Sequence, residues 1–358
     1  MFRIGCILSF SALALGLSSG SLRVSLKAVS SSVQSVDDIT LTAVVSNPTN
    51  EDIRVIAKNN VLDDSATSSF TVSKDDNHVL FTGVRTTLDL SADGIYMTIP
   101  AGSSIAVNHT ALGPLYDFET AGTGTFKFVP VTTFQTGPDA APVHIETDPI
   151  SVKVTKDVAK RELIPLARRV STPTCSDGGR LQTLQNSLAD ARALAGGAAT
   201  DILSHPNGAE YTTYFGGNTQ SDIWFNMDRI AGDLSSESGD RKIFCNQDPA
   251  NLCGGNGGVI AYTLVVTSGG NIVGSDIYTC DYFFTSVGST AGTCTGGFDA
   301  TQSSQGGVLL HELSHATAGT ADIAYGCTAC ASLSVADKKN NADNYRCMGL
   351  AIHKTYQC

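Results

Sequence analysis

The sequence predicts an α+β protein in two parts: an all-β, sandwich-like N-terminal half, then a C-terminal half of helices with a small sheet or hairpin. Three observations predict this division. Apolar and polar residues alternate at strand length in the first half, and helical periods occur only in the second. Nine of the ten cysteines lie between Cys175 and Cys358. The 358 residues suit roughly two domains of ordinary size.

Residues 1–20 have the pattern of a secretory signal peptide. A short basic start, Met1-Phe2-Arg3, precedes an apolar run, Ile4 to Leu17, and the small residues Ser18-Ser19-Gly20. The apolar run is too short to span a bilayer. We therefore expect cleavage after Gly20, a secreted extracellular protein and no association with membranes.

Residues 21–169 are predicted to be β-rich. Four segments alternate or are apolar at strand length: Leu22–Leu26, Ile39–Val45, Ile53–Ile56 and Thr125–Val129. No segment of this half has a helical period, and no cluster of catalytic residue types occurs in it. A small antiparallel sandwich is the predicted fold.

A linker, residues 153–174, holds two dibasic pairs, Lys160-Arg161 and Arg168-Arg169. They indicate either a solvated charged connector or a site for secretory-pathway proteases that cut after paired basic residues. The second pair ends just before the cysteine-rich half. We therefore expect cleavage at Arg168 and Arg169, which would separate a propeptide, residues 21–169, from a mature domain, residues 170–358.

The mature part is predicted to alternate between helices and strands. Its expected elements are a helix over Leu181–Leu194 that ends at Gly196-Gly197, a helix over Thr219–Leu234, and two strands, Gly258–Val266 and Ile277–Phe284. A turn at Ser268–Asn271 joins the strands. The 23 basic and 34 acidic residues argue against nucleic acid as a partner, because phosphate binding needs clustered Lys and Arg.

A histidine pair carries the clearest chemical signal. The pattern H-E-x-x-H at residues 311–315 follows an apolar run, and on a helix it places His311 and His315 one turn apart on one face. Two neutral imidazoles suit tetrahedral Zn²⁺, with positions left for a third ligand and a water. Glu312 can take a proton from that water. The alternative is a pair of solvated histidines on a surface helix.

Residue types alone leave the third metal ligand open. No Glu follows Glu312 in the chain, so a glutamate on a later helix is excluded. Gly319 can end the helix with a sharp reversal that brings Asp322 back toward the metal, and zinc accepts an oxygen ligand beside two nitrogens. The other candidates are Asp337, Asp343 and His353.

The pattern H-E-x-x-H at residues 311–315, followed by G-T-x-D-x-x-Y-G at residues 319–326, resembles the signature of the deuterolysin, or aspzincin, metalloendopeptidases of fungi. The resemblance extends over residues 175–358. It implies a zincin-like domain with one zinc held by His311, His315 and Asp322, with Glu312 as general base. It also implies that Tyr325 stabilises the oxyanion, with simple packing beside the site as the alternative.

The same resemblance implies three disulfides: Cys175–Cys245, Cys253–Cys280 and Cys294–Cys358. Three further cysteines, Cys327, Cys330 and Cys347, are additional to that set. Because their number is odd, we expect a bridge from Cys347 to one of the others and one free thiol.

Residues 211–216 and 341–345 instead resemble the peptidyl-Lys metalloendopeptidases of the same family. That resemblance implies that an Asp and a Glu three residues later hold the Lys that follows the cut. Asp343 matches the first and is expected to bind substrate, but Arg346 replaces the Glu. A fixed cation weakens Lys binding, so broader specificity is expected, with Lys selectivity as the alternative.

Together these observations predict a secreted, monomeric, zinc-dependent endopeptidase that acts on proteins or peptides. Substrate should lie along an edge strand within Val259–Val266. The N-terminal half should keep the enzyme inactive through an extended segment over the cleft or a side chain such as His144. The alternatives are a zinc-binding effector without proteolysis and a β domain that stays attached and binds a cell surface.

Overall fold

The computed structural model describes residues 17–159 except residue 19, and residues 171–233, 241–254, 258–295 and 304–358. Most of the predicted signal peptide and both dibasic pairs lie outside the described residues. Within those ranges, no helix combines the length and the apolar character that crossing a bilayer requires.

The first half of the chain is built mainly from short strands and one short helix. In chain order the strands are β1 Arg23–Ala28, β2 Ser32–Ser35, β3 Leu41–Ser46, β4 Ile53–Ile56, β5 Phe70–Lys74, β6 Asn77–Val79, β7 Gly83–Leu88, β8 Tyr96–Ile99, β9 Ser104–His109, β10 Gly124–Pro130, β11 Thr133–Phe134, β12 Val143–His144 and β13 Ile150–Asp157. The helix is α1, Phe118–Ala121.

Two sheets share one apolar core in this half. Their strand orders are β1-β3-β9 and β2-β13-β10-β5-β6, and the short pairs β4-β8 and β11-β12 lie beside them. Burial alternates along the strands, as on β10, where Phe126 and Phe128 are buried and Lys127 between them is exposed. Successive side chains of a strand point to opposite faces, so this alternation places one face of each sheet in the core.

The second half begins with a strand and continues mainly as helices around one sheet. Its elements are β14 Thr172–Thr174, α2 Gly178–Ser204, α3 Ala209–Phe215, α4 Gln220–Ala231, β15 Lys242–Phe244, β16 Val259–Ser268, β17 Asn271–Thr279, α5 Asp281–Thr285, α6 Gln305–Ala318, α7 Cys327–Ala331, α8 Val335–Asn340 and α9 Ala342–Gln357. The mixed α/β class predicted from the sequence is therefore confirmed.

The sheet of the second half has the order β14-β15-β17-β16-β7, so its last strand comes from the first half of the chain. Strands β16 and β17 form the predicted antiparallel hairpin, and β7 pairs antiparallel with β16. The hairpin turns at Gly269 and Gly270, which have φ angles of 59° and 78°. Such left-handed angles are readily available to glycine.

Helix α6 lies between the sheet and helices α2 and α9. It is buried along nearly its whole length, from Gly306 to Thr317. The hydroxyl of Ser304 caps its start by accepting from the Gly307 amide at 3.0 Å. Gly319 ends it with a φ of 69°, the left-handed C-terminal geometry expected from the sequence.

Two predicted boundaries are wrong. Helix α2 continues through Gly196 and Gly197 to Ser204, because it packs against α4 and α9 along this stretch, and that packing offsets the low helix propensity of glycine. The strand predicted over 277–284 ends at Thr279. Residues Asp281–Thr285 form α5 instead, with Phe283 fully buried in the core.

Four disulfides brace the second half. Cys175–Cys245, Cys253–Cys280 and Cys294–Cys358 are the pairs that the family resemblance implies. The fourth bridge, Cys327–Cys347, decides between the alternatives left open by the sequence, and Cys330 is a buried free thiol.

Candidate active site

Helix α6 presents His311, Glu312 and His315 toward β16, and all three side chains are fully buried. The Nε2 atoms of the two histidines lie 3.0 Å apart. This is the geometry that the four-residue spacing predicts, because residues one helical turn apart lie on the same face.

The chain reversal at Gly319 brings Asp322 to the two histidines. Its Oδ1 atom lies 3.0 Å from His311 Nε2 and 3.2 Å from His315 Nε2. The other third-ligand candidates lie elsewhere. The Asp337 carboxylate accepts from Ser334 on the surface, and His353 contacts Gln357 and the Cys294 sulfur, which is bonded to Cys358.

The donor set of this cluster fits a cation. His311 Nδ1 lies 2.6 Å from Asp343 Oδ1, and His315 Nδ1 lies 2.8 Å from the Thr320 carbonyl oxygen. Each Nδ1 therefore carries the proton, which leaves two Nε2 lone pairs facing each other and Asp322 Oδ1. Three acceptors within 3.2 Å of one another repel unless a positive charge lies between them. Two nitrogens and one carboxylate oxygen at these separations suit zinc, whose bonds to such atoms are about 2.0–2.2 Å.

Asp343 lies behind His311 and is fully buried. Besides the His311 contact, its Oδ2 atom accepts from the Gly326 amide at 2.8 Å and from Arg346 Nη2 at 2.7 Å. The substrate-binding role expected for Asp343 does not agree with this geometry, because both oxygens are occupied and neither is exposed. The arrangement is that of a carboxylate which orients a metal-binding imidazole.

Two threonine hydroxyls hold Glu312. Its Oε2 atom accepts from Thr263 of β16 at 2.6 Å, and its Oε1 atom accepts from Thr87 of β7 at 2.7 Å. Burial raises the pKa of the Glu312 carboxyl above its ordinary value. A raised pKa suits a group that takes up a proton and then passes it on.

Tyr325 lies beside His311, with ring centroids 6.4 Å apart. Its hydroxyl donates to the Thr86 carbonyl oxygen at 3.1 Å and accepts from Asn59 Nδ2. Burial raises the pKa of the Tyr325 phenol well above its ordinary value, so the hydroxyl stays protonated and can donate. The side-chain amide of Gln135 donates to the backbone C=O of Tyr325 and accepts from its backbone N–H.

Sequence reasoning missed the residues that reach the cluster from other segments. These are Thr263, Thr86, Thr87, Asn59 and Gln135. Single polar residues in strands and loops carry no spacing signal, so no motif could have identified them. The predicted blocking residue His144 has its side chain 56% exposed and lines a cavity of about 760 Å³ between the two halves, which Asp322 also borders.

The chain is similar in sequence to a family of metalloproteases. Residues 5–356 match the deuterolysin metalloprotease (M35) family. Penicillolysin of Penicillium citrinum is 28% identical over 96% of this chain and 97% of its own length. The peptidyl-Lys metalloendopeptidase of Armillaria mellea is 28% identical over 88% of this chain and 87% of its own length.

A solved structure, a zinc peptidase from Grifola frondosa, is 22% identical with a TM-score of 0.34 and covers 49% of this chain and 96% of its own. The family match extends over nearly the whole chain, including the histidine pair, Glu312 and Asp322. The chain belongs to the deuterolysin metalloprotease (M35) family and is a zinc-dependent endopeptidase.

Proposed function

We propose that this endopeptidase holds one zinc per chain through His311, His315 and Asp322, with Glu312 as general base. The observation that carries the proposal is the meeting of three buried acceptor atoms, with both histidine Nδ1 protons directed away from them. Asp343 and the Thr320 carbonyl orient the two imidazoles. All of these groups belong to one chain, so the proposal needs no second copy.

Bound zinc supplies a Lewis acid for the scissile carbonyl and lowers the pKa of an attacking water. Glu312 accepts a proton from that water at Oε1 while Thr263 holds Oε2 in place. Glu312 then donates this proton to the leaving amine. The Tyr325 hydroxyl donates to the oxygen that becomes negative as the carbonyl carbon is attacked.

The substrate class follows from the same contacts. Asp343 has no oxygen available for a substrate lysine, and Arg346, which is also buried, stands beside it. A buried carboxylate already paired with an arginine does not favour the binding of a second cationic side chain. We propose cleavage of protein and peptide substrates without strict selectivity for lysine.

We also propose that residues 21–169 are a removable propeptide of a secreted enzyme. The support is the leader pattern of residues 1–20, the dibasic linker, and the disulfides confined to residues 175–358, which suit an oxidising compartment. Contacts from Thr86, Thr87 and Asn59 to the site support an inhibitory role for this half.

Metal analysis of the purified chain, cut at Arg169, tests the proposal. We expect one zinc per chain, loss of peptidase activity with a strong chelator, and recovery when zinc is restored. His311→Ala should lose the metal. The matched control His205→Ala, which removes a surface histidine paired with Asp201, should keep it. A chain without zinc, or activity that ignores the chelator, would contradict the metal site.

A further inference from the structure

We propose that β7 occupies the substrate cleft as an uncleaved substrate mimic, with the peptide bond between Thr86 and Thr87 at the reaction centre. The inference rests on the proposed function, because it concerns the regulation of that same site. It goes further by naming the inhibitory segment, its register and the contact that protects it from cleavage.

The first support is the pairing of β7. Among the described strands, β7 pairs with β16 alone and with neither sheet of its own half. The register is antiparallel, with Thr86 opposite Tyr262 and Arg85 opposite Thr263. Without β7, strand β16 is the edge of its sheet. An extended peptide that binds to a sheet edge makes backbone ladder bonds of this kind.

The second support is the position of one carbonyl group. The Thr86 carbonyl oxygen accepts from the Tyr325 hydroxyl at 3.1 Å, and the amide of the same residue donates to Asp322 Oδ2 at 2.8 Å. Tyr325 is the group proposed to stabilise the oxyanion. The carbonyl beside it therefore takes the place of the scissile carbonyl, and Thr87 takes the place of the residue after the cut.

The third support explains why β7 is not cleaved while it occupies the cleft. Thr87 Oγ1 donates to Glu312 Oε1 at 2.7 Å, while Thr263 already occupies the other oxygen. Glu312 is fully buried and each of its oxygens already accepts a hydroxyl, so the Thr87 hydroxyl competes with a water for Oε1. The mimic thus presents its own hydroxyl where an attacking water must be deprotonated.

Further contacts hold the strand in this register. Arg85 Nη1 donates to the Gly319 carbonyl oxygen at 3.2 Å, at the end of the metal-binding helix. At the start of the strand, the hydroxyls of Thr82 and Thr267 lie 2.5 Å apart. A residue just before β7 and one within it thus contact the catalytic half. The alternative is that β7 is a permanent edge strand that the catalytic sheet requires.

The test uses the full zinc-loaded chain, kept uncut by alanine at both dibasic pairs. Arg85→Pro with Thr87→Pro removes two amides from strand β7 and should detach it from β16. We expect at least about a tenfold rise in peptide cleavage over the uncut parent, because preventing strand addition exposes the edge of β16. The control Thr42→Val removes a hydroxyl of the N-terminal half that bonds Asn108 at 2.8 Å, in a sheet that does not include β7. Its activity should stay within about twofold of the uncut parent, because effects of distant sites are independent.

A folded, zinc-loaded proline variant that stays as inactive as the parent would overturn the proposal. The unsubstituted chain, cut at Arg169 and separated from residues 21–169, serves as reference. If that cut chain is inactive, the proposed function itself fails. If it is active while the proline variant is not, only the strand mimic fails.

A second variant tests the register and does not depend on folding of the proline chain. Thr87→Ala frees Glu312 Oε1 but leaves the β7 backbone in place. We expect slow self-cleavage between Thr86 and Thr87, found by mass spectrometry and abolished by adding Glu312→Gln. A cut at another bond of β7 would contradict the register. An intact β7 with unchanged inactivity would contradict the role of the Thr87 hydroxyl.

Discussion

The Thr263 hydroxyl lies 2.6 Å from Glu312 Oε2, so β16, the strand proposed to border the substrate cleft, also holds the proposed general base. Thr263 is fully buried on β16 and belongs to the catalytic half. If residues 21–169 are removed as proposed, this contact should persist, whereas the Thr87 contact should be lost. One oxygen of Glu312 would then be fixed and the other would be available to water.

Thr263→Val should lower kcat about 10- to 100-fold with little change in KM, since a hydrogen bond to a charged group contributes about 1.5–3 kcal/mol. Zinc content should stay the same. Thr279→Val is the matched control, because that buried hydroxyl donates to the Phe244 carbonyl oxygen at 2.8 Å, away from Glu312. Steady-state kinetics on the cut chain measures kcat and KM separately. An unchanged kcat would show that Thr263 does not position the base.

Glu312→Gln should keep one zinc per chain and lose about 10²- to 10⁴-fold in turnover, because only the proton acceptor changes. The amide keeps nearly the size of the carboxylate, so the fold should persist. Peptide cleavage together with metal analysis checks both parts. Normal cleavage by this variant would exclude Glu312 as the base.

Asp322→Ala should weaken zinc binding, because it removes the carboxylate whose Oδ1 lies within 3.2 Å of both histidine Nε2 atoms. Asp337→Ala should bind zinc as the parent does, since Asp337 contacts Ser334 on the surface. Competition with a chromophoric chelator gives the two affinities. Weaker zinc binding by Asp337→Ala than by Asp322→Ala would show that Asp322 is not the third ligand.

Asp343→Asn should reduce zinc affinity by about 10- to 100-fold, the range seen when partners that orient metal ligands are removed. The substitution also weakens the contacts to Arg346 and the Gly326 amide, so a lower melting temperature should accompany it. Asp281→Asn is the control, because that carboxylate is 80% exposed and pairs with Arg180. Unchanged zinc affinity would contradict a positioning role for Asp343.

Replacing Arg168 and Arg169 with Ala should yield a longer secreted product with lower activity. Lys160→Ala and Arg161→Ala added to this variant exclude cleavage at the first pair. Intact mass and peptide cleavage, measured on the same sample, separate the two properties. Full activity from a verified uncut chain would show that residues 21–169 are an accessory module.

The predictable part of the site is the part encoded locally. His311 and His315 lie close together because an α-helix repeats every 3.6 residues. Asp322 follows a reversal of the chain direction, which Gly319 at the end of the helix predicts. The contacts to Glu312 come from residues 49 and 225 positions away, and the Asn59 contact to Tyr325 comes from 266 positions away. Such pairings depend on sheet order, which local patterns do not specify.

The same limit applies to β7. Residues 83–88 were not among the predicted strands, and their place in the sheet of the other half depends on tertiary packing. An edge strand was expected within Val259–Val266. A strand does occupy this range, β16, but β7 pairs along its outer side. Composition and residue spacing do not identify β7 as the strand that pairs along β16.

No cysteine occurs between residues 21 and 174, so no disulfide within the chain can tie the N-terminal half to the catalytic half. While the linker is intact, the two halves meet at the high effective concentration of a single chain. If this half is the inhibitory propeptide of a secreted enzyme, as proposed, cutting the linker makes inhibition bimolecular and dependent on the protein concentration. Release into a large volume would then favour dissociation, whereas a crowded secretory compartment would favour rebinding. Dilution on leaving the cell would thus be a second trigger, after cleavage, for the onset of activity.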